Sequence, residues 1–122
     1  MNNIDIYLGL GITIFMYLVQ LGVYWYVTRF PPGEINSMYG YRTRRSMKNQ
    51  VNWRFANALS NRLMLIVSHI YLLIALLLLL IFHNILSGQC YIAISTCLFL
   101  IAMALVIIIT EYKLKQFEKK QV

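Results

Sequence analysis

The chain has 122 residues, of which 60% are hydrophobic and 12% charged, with a formal charge of +7. A soluble domain carries about 25% charged residues, and a chain this short has no way to hide so much apolar surface from water. The composition therefore excludes a soluble enzyme or carrier and indicates one small integral membrane domain. The positive charge would suggest nucleic acid in a soluble protein, but here the basic residues flank apolar stretches, and anionic lipid headgroups account for them.

The first apolar segment runs over about 4–28, long enough as a helix to cross a bilayer with some tilt. Met1–Asp5 carries no Lys or Arg, the apolar stretch behind it is long, and no A-x-A site follows, so a cleaved signal peptide is not expected. Tyr24, Trp25 and Tyr26 cluster at one end, at the level where amphipathic rings meet headgroups. Pro31-Pro32 ends the helix, since neither residue has an N–H to donate. Within the span, Gln20 is strongly polar and is expected to face other helices.

The segment 29–62 is basic and is the one long polar stretch. Asn36 to Gly40 reads as a single helical turn, capped by Asn36 or Ser37 and ended by Gly40 at positive φ. Ser46 is placed to cap a helix over 47–61 whose residues Met47, Val51, Phe55 and Leu59 form one apolar stripe. We expect this helix to lie amphipathically at the membrane interface; the alternative, one helix continuing from Met47 to Leu86, would leave the stripe in water.

The second and third spans cover about 63–86 and 91–110, joined by a turn at Ser87-Gly88-Gln89 that forces an antiparallel hairpin. His83 sits near the turn as an interfacial residue, whereas His69 lies about two turns inside the span, where an imidazole is costly without a partner. Gly9 with Thr13, and Ala93, Cys97 and Ala104, form small-residue stripes suited to close helix packing. Cys90 and Cys97 on one helix are about 10 Å apart, too far for a disulfide. The tail 111–122 is again basic.

All eleven Lys/Arg fall in 29–62 or 111–122, so both segments are expected in the cytoplasm, with the N-terminus outside. The expected fold is an all-α membrane protein of three transmembrane helices, with the interfacial helix between the first two. Nucleophile motifs, metal-ligand clusters and phosphate loops are missing, so neither catalysis nor a cofactor is expected. His69 and His83 stand about 21 Å apart along one helix and cannot share a metal.

Chemistry concentrates in Asn36–Asn57. Arg44, Arg45, Lys48 and Arg54 read as contacts to lipid phosphates, whereas Arg42, directly after Gly40-Tyr41, is placed to bridge Asn36 to the helix carrying Trp53 and Asn57 with its rigid guanidinium fork. The cluster is either a structural clamp or a site for a phosphate or carboxylate. The run P-P-x-x-x-N, G-Y-R-T, S, then W-x-x-A-N, here Pro32, Asn36, Gly40, Tyr41, Arg42, Thr43, Ser46, Trp53 and Asn57, resembles the signature of the SdpI family of small bacterial membrane proteins. The resemblance implies a bacterial inner-membrane protein. Its founding member is an immunity protein against a secreted killing peptide, which also holds a transcriptional repressor at the membrane, and is longer, with additional spans. The partners so implied are a toxic peptide or a membrane-recruited regulator, beside anionic lipid and further copies of the chain. A small transporter or channel using Gln20 and His69, and an enzyme acting on lipid headgroups, are the competing expectations.

Overall fold

The computed structural model describes residues 3–121 as three helices and one short 3-10 turn. Helix α1 spans Asn3–Arg29, α2 spans Gln50–Phe82 and α3 spans Gly88–Gln121. Each is long and apolar enough to cross a membrane. α1 ends where Pro31 cannot continue its hydrogen bonds; the last bond of the ladder runs from Phe30 N–H to Tyr26 O at 2.8 Å. The turn between α2 and α3 occupies 83–87 and α3 begins at Gly88, a few residues earlier than hydropathy placed the exchange.

α1 and α3 run side by side in the same direction, with α2 antiparallel to both. Gly88 is pressed against Asp5, and a Cβ on Gly9 would lie 2.6 Å from the Tyr91 ring, so both glycines are required for close approach. One turn further, Thr13 Oγ1 meets Tyr91 OH at 3.0 Å and Ser95 Oγ at 3.2 Å, and Tyr71 OH of α2 joins Ser95 at 3.0 Å. In hydrocarbon an unpaired hydroxyl is costly, so this shared set fixes the register of all three helices. Tyr71, Ala75 and Ala102 form the apolar core beside it.

The small-residue expectation holds for only one helix. Gly9 and Thr13 are buried, but Ala93, Cys97 and Ala104 point outward, and α3 packs through Tyr91, Ser95, Ala102 and Val106 instead. Tyr91 and Ser95 face this interface because their hydroxyls find hydrogen-bond partners only inside the bundle.

The separate interfacial helix is replaced by one continuous α2 that runs from Gln50 through the second span. It extends beyond the apolar span because α3 extends equally far on the same side. Phe55 stacks on Phe117, ring centroids 4.1 Å apart, so part of the apolar stripe is covered by α3 rather than by lipid. Met47 and Val51 remain exposed. Ser46 is not the cap of this helix: Asn49 is, its side chain accepting from Asn52 N–H at 2.8 Å. Nor do residues 36–40 form a helical turn; they are an irregular bend.

Candidate functional site

Residues 30–49 form a strap across the shared end of the helices. Asn36 organises its first bend: Oδ1 accepts from Met38 N–H (3.0 Å) and Tyr39 N–H (3.1 Å), and Nδ2 donates to Glu34 O (2.9 Å). Gln50 of α2 ties the same bend down, accepting from Ile35 N–H at 3.3 Å and donating to Gly33 O.

The strap then dips to Gly40, whose φ of +113° is the one positive value among the described residues. A Cβ there would lie 2.6 Å from Asn57 Oδ1 and 3.2 Å from both the Pro32 ring and the Trp53 ring. Four residues of the sequence signature thus meet at one point. Asn57 Oδ1 accepts from Tyr41 N–H at 2.6 Å, and Trp53, fully buried, donates its indole N–H to Pro32 O at 3.1 Å. Asn57 Nδ2 donates back to Trp53 O at 2.9 Å, completing its amide.

Beyond Tyr41, Thr43 and Ser46 close a reciprocal turn. Thr43 N–H donates to Ser46 Oγ at 2.9 Å, Ser46 N–H to Thr43 Oγ1 at 3.2 Å, and Ser46 Oγ reaches Tyr41 O at 2.8 Å. Two carboxylates of α3 hold this part. Glu111 Oε1 accepts from Thr43 Oγ1 at 2.7 Å and from Tyr41 OH at 3.1 Å. Burial, reinforced by the Glu111 charge, pushes the Tyr41 phenol well above its ordinary value. Glu118 is bound by Arg45, by Asn52 Nδ2 at 2.8 Å and by Lys48 at 3.6 Å. Burial pushes the Glu118 carboxyl up, but the Arg45 and Asn52 hydrogen bonds and the charges of Arg45 and Lys48 outweigh it and hold the carboxyl below the usual range.

The guanidinium at the centre of the cluster is therefore that of Arg45, which also approaches Glu111 at 3.5 Å. Arg42 is exposed and makes no side-chain hydrogen bond or ion pair among the described residues. The sequence reading had these two reversed. Thr43 and Ser46 tighten the chain into a turn, and α3 stands where position 45 meets Glu111 and Glu118. Arg44 and Lys48 border an open basic recess beside Glu118, and Arg54 is exposed at the rim of a cavity of about 310 Å³ next to Pro31 and Pro32.

Glu111 and Glu118 were not singled out from sequence. Glu111 and Glu118 stand seven apart on one helix, and they are two of only four acidic residues in a chain with eleven basic ones. That scarcity, combined with a spacing that returns to the same helix face, was the available signal.

Further along α2, on an exposed flank of the helix, His69 Nδ1 donates to Leu65 O at 2.7 Å, which leaves Nε2 to accept from Tyr17 OH at 3.2 Å. His83 contacts Leu80 O at 2.9 Å at the end of α2. Gln20 Nε2 reaches Met103 Sδ at 3.3 Å, while its Oε1 is buried without a hydrogen-bond partner. Beside Met103, α1 and α3 both line a cleft of about 360 Å³, α1 through Val23, Tyr26 and Val27 and α3 through Val106 and Ile107. Asn57 and Asn61 of α2 and Tyr39 to Tyr41 of the strap also line it. Among the described residues no group of His, Cys, Asp or Glu is arranged to hold a metal.

Comparison with known proteins agrees with the signature at the centre of this cap. The profile of the SdpI/YfhL protein family matches residues 34–112, from the strap to the end of the third span. The protein YfhL of Bacillus subtilis (strain 168), itself uncharacterized, is 41% identical over 86 residues, covering 70% of each chain. No solved structure matches.

Proposed function

This chain belongs to the SdpI/YfhL family, and from that membership we propose that it is a non-catalytic protein of the bacterial inner membrane that protects against, or senses, a membrane-active peptide by binding a partner. The observation that carries this reading is how the cap spends its polar groups. Arg45, Asn52 and Lys48 converge on Glu118, and Tyr41 and Thr43 on Glu111. Both carboxylates are consumed in holding a shape, which leaves neither as a general base beside a nucleophile. Such a cap suits recognition rather than turnover.

The surface offered to a peptide or regulator is the outer face of the cap, which exposes Met47 and Val51 and carries Arg44 and Lys48 at an open recess. Apolar side chains and cations on one face fit an amphipathic segment with acidic residues. All eleven Lys/Arg gather at the cap end, which supports a cytoplasmic cap and an external α2–α3 turn.

The test is expression in a host sensitive to a membrane-active peptide toxin, with survival as the readout. Wild type protects, and Val51→Glu loses protection while keeping wild-type thermal stability in detergent. Protection by Val51→Glu equal to wild type, or no protection by wild type, counts against the reading.

A further inference from the structure

The cleft beside Asn61 has a chemistry of its own, independent of the peptide-binding reading. Its walls are mainly apolar: Val23, Val27, Met64, Met103, Val106 and Ile107. Val23, Tyr26 and Ile107 are 45%, 48% and 52% exposed and lie on the outer flanks of membrane-spanning helices. The mouth is thus continuous with the surface that meets acyl chains, and the strap borders the opposite, headgroup side through Tyr39 and Tyr41. A molecule already in the bilayer reaches this space without crossing water.

The cleft, of about 360 Å³ and mainly apolar in its lining, offers a single acyl chain a place along the helix flanks.

Hydrogen bonding selects among such molecules. Asn61 lines the cleft; its Nδ2 donates to Thr28 Oγ1 at 2.9 Å, but its Oδ1 is buried with no partner. Leaving a buried carbonyl unpaired is unfavourable, and the group that corrects it must be a donor. Asn57 offers no competing vacancy, because both ends of its amide are engaged.

We propose that this cleft is a lipid-binding site that takes one acyl chain of a glycerolipid and accepts a hydrogen bond at Asn61 from the ammonium or hydroxyl near the chain's polar end. Phosphatidylethanolamine and diacylglycerol carry such donors, and phosphatidylcholine carries none. The site selects by headgroup hydrogen bonding at a position where the apolar wall alone would accept any chain.

Trp53 is a built-in reporter. It is 0% exposed, and its ring lies against Gly40, which lines the cleft. Trp25, the second of two tryptophans, is 64% exposed and is removed as Trp25→Phe. In phosphatidylcholine nanodiscs, the Trp25→Phe protein is titrated with phosphatidylethanolamine or phosphatidylcholine brominated near the top of one chain. Quenching of Trp53 is expected to saturate with the brominated ethanolamine lipid at about three- to tenfold lower mole fraction than with the choline lipid, the effect of one hydrogen bond. Unbrominated dioleoylglycerol relieves the quenching if a hydroxyl suffices; relief by unbrominated phosphatidylethanolamine alone assigns the ammonium. Asn61→Leu abolishes the preference, and Met103→Phe, which fills the cleft from another wall, abolishes saturable quenching even if the Asn61 variant folds poorly. Equal quenching by both brominated lipids, quenching that never saturates, or quenching unchanged by Met103→Phe overturns the proposal.

Discussion

Tyr41 offers its backbone N–H to the side-chain carbonyl of Asn57 across 2.6 Å, joining the strap to the second turn of α2. The bond is possible because the preceding residue, Gly40, has no side chain: a Cβ would lie 2.6 Å from Asn57 Oδ1 and press on Pro32 and Trp53. Here one glycine meets two separate demands, a positive φ and a three-sided contact.

Gly40→Val is therefore expected to destabilise the protein by at least about 2 kcal/mol, combining left-handed backbone strain with overpacking. Thermal unfolding in detergent measures it. Asn57→Gly in the same background, which removes the carbonyl that the new Cβ meets, restores little, because φ remains positive. A Gly40→Val protein melting like wild type would remove this account of the strap.

The arginines of the strap separate by role. Arg45→Lys keeps the charge but loses the planar fork that reaches both Glu118 and Glu111, and should lower stability by about 1 kcal/mol, a value discounted for the partial exposure of the Arg45 side chain. Arg42→Lys and Arg44→Lys should lie within about 0.5 kcal/mol of wild type, as ordinary surface changes do. Parallel melting curves of the three variants decide it; equal effects would reduce the cluster to a general basic patch.

Acid should loosen the cap through Glu118. Its carboxyl is held below the usual range in the folded protein, so the unfolded chain takes up the proton at higher pH than the folded one. The stabilisation is complete above the ordinary glutamate value and is lost as pH falls below it toward the folded value. Melting temperatures in detergent between about pH 7 and about pH 3 should fall on the acid side of the ordinary value of about 4.3. Glu118→Gln should start lower and show a shallower decline, and identical slopes for the two proteins would count against the ion pairs.

Orientation is open to labelling. A cysteine at Gln89, exposed at the start of α3, should react with an impermeant maleimide added outside cells, and a cysteine at Lys48, exposed on the cap, should not. Both probes are made in a background lacking Cys90 and Cys97, the two native thiols. Reaction at position 48 from outside would invert the topology.

Hydropathy and charge are sums over neighbouring residues, so the sequence by itself determined the three apolar helices, the stop at Pro31-Pro32, the α2–α3 hairpin and the collection of cations at one end. The positive φ of Gly40 was legible for the same local reason, since it follows from a residue type in a polar turn. Which arginine serves the cap was not, because that depends on where α3 stands relative to the strap. The α1–α3 register, fixed by Gly9 against Tyr91 and by the Thr13–Ser95 bond, and the length of the turn at 83–87 carry Glu111 to Thr43 and Glu118 to Arg45. The same register brings Phe117 over Phe55, so α2 continues unbroken where a helix considered alone would have needed lipid to cover its apolar stripe. Contacts between segments more than sixty residues apart are decided by packing that no local pattern records, and in this protein that packing made Arg45 the clamp and left Arg42 exposed.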